Sequence, residues 1–312
     1  MLQDCAPAGV AGVRPHRAPI AILSYHQTAT PPARGTPYRS LVLPPAQFER
    51  QLRALRLLGW RGLSLRDLEP YLAGRLTGRV FGITLDDGYR NNFDHALPVL
   101  RELGFTATAF AVSSQLGGSN VWDHANGVPP APLMDVAHLR TWSAAGMEVG
   151  GHTRHHVNLC ACTDAKARDE ITGCRQELED VLGAEVRSFS YPHGLHAAQH
   201  VEMVREAGFT RAVTVVSARA GWNDEPLRLP RLSVHATEPL AMLVARVTTP
   251  LEDWRIARRL RRAAAAMPAT SMPAAAPAAT AAPAASALAE QRLTEGLAPQ
   301  AAAISGVAQS MS

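Results

Sequence analysis

FGITLDDGYRNN, residues 81–92, passes from an apolar run to two adjacent carboxylates, Asp86 and Asp87, followed by Gly88. The apolar part extends back to Val80, and 79–85 reads as a strand. Neighbouring like charges repel, so a fold that keeps both beside a cleft needs a reason. A cation is one such reason: one carboxylate binds it and the other works as a base. The plain alternative has one aspartate capping the next helix and the other solvated.

The rest of the chain repeats one rhythm. A helical segment ends in glycine and an apolar strand follows at once: RLLGWRG, RELGFTATAFAV, SAAGMEVGG and REAGFTRAVTVV. Glycine after a helix adopts the left-handed conformation that stops it. Strands are expected over 20–25, 79–85, 105–112, 147–150, 187–191, 211–216 and 229–234. Helices are expected near 45–58, 92–103, 135–145, 163–182 and 197–207, with an interruption at Pro98. In 163–182, Ala167, Ile171, Cys174, Leu178 and Val181 form one buried stripe. Strands alternating with helices give a parallel α/β architecture, a closed barrel or an open sheet. In either, chemistry sits at the carboxyl ends of the strands.

Two further strand ends carry reactive side chains. Strand 147–150 runs into GGHTRHHVNL, where His152 and His156 stand four apart. Such a pair converges on a metal or packs structurally; with the Asp-Asp-Gly at another strand end it makes a His₂Asp set with positions left for water and substrate. His155 is expected to point away from its neighbours. Cys160 and Cys162 follow closely, but a hydrolytic site is better served by aspartate than by a soft thiolate. The third rim segment is VRSFSYPHG, residues 186–194. Pro192 and Gly194 fix a turn able to aim a backbone N–H at an oxyanion. Arg187 is either a partner for a carboxylate or an ordinary surface arginine.

Composition narrows the classes. The chain has 312 residues, 46% hydrophobic and 5% aromatic, with a net charge of +4. Scattered arginines argue against a nucleic-acid partner. No run approaches the roughly 18 apolar residues of a membrane helix. The four cysteines, Cys5, Cys160, Cys162 and Cys174, contain no CxxC pair and read as reduced thiols. The start, MLQDCAPAGVAGVRPHRAP, lacks the basic end and apolar core of a signal peptide, which points to the cytoplasm unless the true start lies elsewhere. Composition shifts near residue 263 to an Ala/Pro-rich stretch. The expected organisation is a flexible 1–17, a catalytic domain over 18–262 and a disordered tail over 263–312. WRIARRLRR, just before the tail, reads as a basic helical end whose role is a solvated face or a contact with an acidic surface.

In this order and at strand ends, TLDDG, HTRHH and RSFSYPHG resemble the first three motifs of the NodB-type polysaccharide deacetylases, carbohydrate esterase family 4. ILSYHQ, residues 22–27, resembles the opening strand of one branch of that family, and the likeness covers about 20–235. The resemblance implies a distorted (β/α) barrel of about seven strands. It also implies a divalent metal, zinc foremost, and removal of an N- or O-acetyl group from a sugar polymer. By the same resemblance Asp86 is the general base, Asp87, His152 and His156 are the metal ligands, and the Tyr191 N–H helps hold the oxyanion.

The match is imperfect in two places. His193 stands where Tyr or Phe is usual, beside Pro192 in the substrate groove. The family's late histidine, its general acid, has one candidate, His235 in LPRLSVH; His26, at the first strand's end, is the other rim imidazole and is read as lining the cleft. The implied substrate is a polysaccharide or oligosaccharide containing N-acetylglucosamine. The alternatives are a same-fold amidohydrolase acting on a small cyclic amide or ureide, and a carbohydrate-binding protein without catalysis.

Overall fold

The structure, a computed structural model, describes residues 18–265. The expectations for 1–17 and for the stretch after Ala265 lie outside the described residues. Ten strands occur in chain order: β1 Ile22–Tyr25, β2 Gln27–Thr28, β3 Val42–Leu43, β4 Arg61–Leu63, β5 Val80–Leu85, β6 Thr108–Ala111, β7 Glu148–Gly151, β8 Ser188–Ser190, β9 Arg211–Val213 and β10 Leu232–Ser233. The α-helices are α1 Pro45–Leu57, α2 Leu65–Leu72, α3 Leu97–Leu103, α4 Val136–Ala144, α5 Asp164–Leu182, α6 Ala198–Glu206, α7 Leu240–Thr248 and α8 Leu251–Ala265.

Seven strands follow the order β10-β1-β5-β6-β7-β8-β9, with β4 added beside β5. Every pairing in this sheet is parallel. Strands β4 and β6 share one edge of β5 in succession: Leu63 is level with Gly82, and Thr84 with Thr108. Regular ladders do not join β9 to β10. The ring is completed by Leu229, whose N–H donates to Ala212 O at 2.9 Å and whose carbonyl accepts from Thr214 N at 2.9 Å. This seam makes the barrel distorted, as the motif resemblance implies.

Burial follows from patterning. All six residues of β5 are buried, because helices cover one face and the barrel interior the other. On α1, Phe48, Leu52 and Leu55 recur on one face and are fully buried. The stripe expected on α5 is present in Ala167, Ile171, Cys174 and Leu178. Gly104 and Gly183 terminate α3 and α5 with φ of 63° and 66°. Pro98 interrupts the expected 92–103 helix as anticipated: a π-helical turn over Asn92–Ala96 precedes α3. The helix α8 continues through Ala265, past the boundary expected at 262.

Gly150 in β7 is required by packing. A Cβ there would lie 2.6 Å from the Phe110 ring and 2.8 Å from the Ser188 carbonyl. Gly150→Ala is expected to destabilise the barrel by about 1–3 kcal/mol through overpacking. A denaturant midpoint equal to the parent's would show that the Phe110 ring can yield.

Candidate active site

At the carboxyl end of β5 the chain turns abruptly: Asp87 and Gly88 both have φ of 70°. The two adjacent carboxylates consequently serve different partners. Asp87 Oδ1 lies 3.3 Å from His152 Nε2 and 3.3 Å from His156 Nε2. Asp86 instead accepts from Arg231 Nη1 at 2.7 Å and Nη2 at 2.8 Å. The repulsion posed by the sequence is resolved by a cation on one side and a histidine pair on the other.

The histidines come from the loop after β7. His152 Nδ1 is 2.7 Å from the Ser190 carbonyl, so it carries the proton and leaves Nε2 free to face Asp87. His156 follows in the left-handed region, φ 56°. This loop is clamped by Glu170 of α5, which is fully buried. Its carboxylate accepts from the N–H groups of Arg154 and His155 at 2.9 Å each, and it meets His155 Nδ1 at 2.8 Å. His155 is thereby held away from the site, as expected from sequence. Glu170 itself was not singled out, since a helix glutamate carries no motif.

Asp87, His152 and His156 are all buried, and their ligand atoms lie within 4.8 Å of one another. Burial would raise the Asp87 carboxyl, but the two histidines outweigh it and hold the group well below the usual carboxylate range. Burial opposes protonation of His152, yet Asp87 and Asp86 raise its pKa above the ordinary value. Three converging donors in a buried, anionic setting fit a divalent cation.

Arg231 is 1% exposed, and all five of its N–H groups are used. Nε donates to Thr214 O at 2.9 Å, Nη1 to Thr84 Oγ1 at 2.9 Å and Asp86, Nη2 to Ser190 Oγ at 3.1 Å and Asp86. Burial raises the Asp86 carboxyl, Arg231 lowers it, and the net direction is down. The arginine that the sequence offered for this role, Arg187, does not reach the site. It lies outside the cavity, before β8, where it pairs with Glu185. The signal for Arg231 was a lone charge inside the apolar run LPRLSV.

A cavity of about 260 Å³ opens over these groups. His26, Asp86, Asp87, His152, His156, Tyr191 and His193 line it, with Tyr89 and Asp123. Desolvation on its cavity side and the neighbouring histidines push the His193 imidazole down to about 4, although the residue is exposed to solvent on its other side. Trp122 stacks on His156 at 4.6 Å between ring centroids. Tyr38, Asp87, Thr153, His156 and His193 are the non-glycine residues with positive φ among the described residues. All but Thr153 line the cavity, a concentration of backbone strain at one place.

Several expected residues take other positions. Pro192 is buried behind the wall and does not line the cavity. The Tyr191 N–H donates to Val213 O at 3.3 Å, a long bond that a substrate oxygen would have to displace. His235 is half-buried and does not line the cavity, whereas His26 does. Burial holds the His235 ring below its ordinary pKa against the upward pull of Glu238, whose carboxylate accepts from Arg246 Nη1 at 2.7 Å.

A parallel barrel that presents a tethered carboxylate beside a His/His/Asp cluster is the framework of a hydrolase. Residues 73–212 match the family described as polysaccharide deacetylase. Over these residues the chain is similar to the polysaccharide deacetylases. The Bacillus subtilis (strain 168) protein YxkH, assigned to the same family, is 23% identical over 234 residues, covering 74% of this chain and 76% of its own. The poly-β-1,6-N-acetyl-D-glucosamine N-deacetylase of Staphylococcus epidermidis (strain ATCC 35984 / DSM 28319 / BCRC 17069 / CCUG 31568 / BM 3577 / RP62A) is 21% identical over 192 residues, 60% of this chain and 66% of the relative. Among solved structures, IcaB from Ammonifex degensii superposes with a TM-score of 0.64 at 23% identity, covering 75% of this chain and 99% of that one.

Proposed function

We propose that the protein removes N-acetyl groups from a polymer or oligomer containing N-acetylglucosamine. The observation that carries this is the division of labour between Asp86 and Asp87. One carboxylate is fixed and ionised by Arg231, and the other joins His152 and His156. The relatives named as poly-β-1,6-N-acetyl-D-glucosamine N-deacetylases support the sugar. The cavity is smaller than pockets that enclose drug-sized ligands, which suits one unit of a longer chain.

Asp87, His152 and His156 are the residues to hold a divalent ion, with zinc favoured by the two-imidazole, one-carboxylate set. When bound, that ion supplies positive charge that acidifies water and polarises the acetyl carbonyl. Asp86 accepts the proton of the attacking water. Arg231 keeps Asp86 ionised and aligned throughout. The departing nitrogen takes a proton from His26, which lines the cavity with its Nδ1 buried and without a hydrogen-bond partner. Acetate and a free amine result.

Acetate release from β-1,6- and β-1,4-linked N-acetylglucosamine oligomers, with and without chelator, tests the reading. Activity on at least one series, lost on chelation and restored by metal, is expected. No release from any oligomer by metal-loaded protein would refute it. For the acid, His26→Ala is expected to lose the basic limb of the kcat/KM profile and His235→Ala to keep it. The reverse result would return the role to His235.

A further inference from the structure

We propose that α8 is a docking face for a bilayer containing anionic phospholipid. At 100° per residue, Trp254, Arg255, Arg258, Arg259, Arg261 and Arg262 fall on an arc of about 160°. All six are exposed, Trp254 by 73%. The helix's two acids fall outside this arc, Glu252 at its edge, and both are engaged. Glu252 is buried and accepts from Arg246 Nε at 2.8 Å, and Asp253 pairs with Arg219. Arg255 reaches Glu252 at 3.2 Å. Arg258, Arg259, Arg261 and Arg262 have no ionic or hydrogen-bond partner among the described residues. Arg205, likewise exposed, meets two carboxylates instead.

The segregation identifies the partner by charge. A helix with both its acids engaged by arginines of the protein and five arginines exposed presents a one-sided positive strip roughly 12 Å long. A planar surface of negative charge complements a convex strip of this kind better than a groove does. Trp254 adds the second element, since an exposed indole settles at the headgroup level of a membrane. Among the described residues no helix is long and apolar enough to cross a bilayer, so the contact is superficial. Each arginine near an anionic surface contributes on the order of fivefold in partition, screened by salt. This reading does not depend on the proposed catalytic function.

The test is co-sedimentation of the full chain with vesicles of phosphatidylglycerol and phosphatidylcholine against vesicles of phosphatidylcholine alone. Binding to the anionic vesicles that collapses at high salt is expected, with weak binding to the neutral ones. A variant carrying Arg258→Glu, Arg259→Glu, Arg261→Glu and Arg262→Glu should lose on the order of 10²-fold or more in partition. Trp254→Ala should lose several-fold and abolish the vesicle-induced emission shift. Thermal melts equal to the parent's establish that both variants are folded; if the fourfold variant is not, the four Arg→Gln changes replace it. Equal binding to neutral vesicles, no binding at low salt, or unchanged partition of either variant overturns the proposal. Binding to duplex DNA without binding to anionic vesicles also overturns it.

Discussion

Asp86→Asn is expected to lower acetate release by about 10²–10⁴-fold while leaving metal content at the parent level. Asparagine keeps the shape of the side chain but cannot accept the proton of the attacking water. It still receives one hydrogen bond from Arg231, although the second nitrogen then faces an amide N–H₂. Asp87→Asn should show the complementary pattern, loss of bound metal first and of activity in consequence, because its Oδ1 is the atom shared by His152 and His156 at 3.3 Å. Metal analysis of the two purified variants beside single-turnover rates separates the roles. If Asp86→Asn is the metal-deficient variant, the two carboxylates have been assigned in the wrong order.

Arg231→Met should be the most damaging change to the fold near the site. It strands a buried carboxylate, and removing one member of a buried ion pair costs about 3–5 kcal/mol. The pH dependence follows from the direction of the Asp86 shift. In the parent the folded carboxyl titrates below its unfolded value, so the pair's stabilisation is complete above the ordinary carboxylate range near 4 and is lost as pH falls through the folded value. In the variant burial is opposed only by His152 and His26, and the carboxyl shifts upward from its value in the parent. The stability gap between parent and variant is therefore widest at neutral pH and narrows on acidification. The acid limb of kcat/KM should move to higher pH by the same cause. Arg231→Lys restores charge without the planar fork and should recover stability more than activity. Denaturant midpoints at pH 7 and near pH 4 measure this; a gap that is independent of pH would mean that the lost packing, not the ion pair, is what Arg231 provides.

The parts of the site that were legible in sequence are those that lie next to a strand end. Asp86 and Asp87 come at the end of the apolar run 80–85 and His152 and His156 lie in the loop that follows 147–151, and the rule that parallel sheets place chemistry at their carboxyl ends sufficed to group them. The direction of His155 was legible too, from simple alternation along the loop. The partner of Asp86 was not. Arg231 lies 145 residues away along the chain, and its one local signal, a lone charge in an apolar run, was outweighed by Arg187, which sits inside a motif but before its strand and outside the cavity. His26 and His235 posed the same difficulty: both follow strands, and only packing decides which ring reaches the cavity. Short elements were also missed. β4 has three residues and α2 has eight with Pro70 inside, too little for a periodic pattern to stand out.

The seam at Leu229 bears on how the molecule matures. The three side chains proposed to hold a metal reside at 87, 152 and 156, and all of them are made well before the closing segment. The base is oriented only when 229–233 has docked between β9 and β1, bringing Arg231 under Asp86. A nascent chain lacking this segment has its metal-binding groups but an unanchored carboxylate. On the proposed assignment, the carboxylate that takes the proton is anchored only by a segment made after every group proposed for the metal.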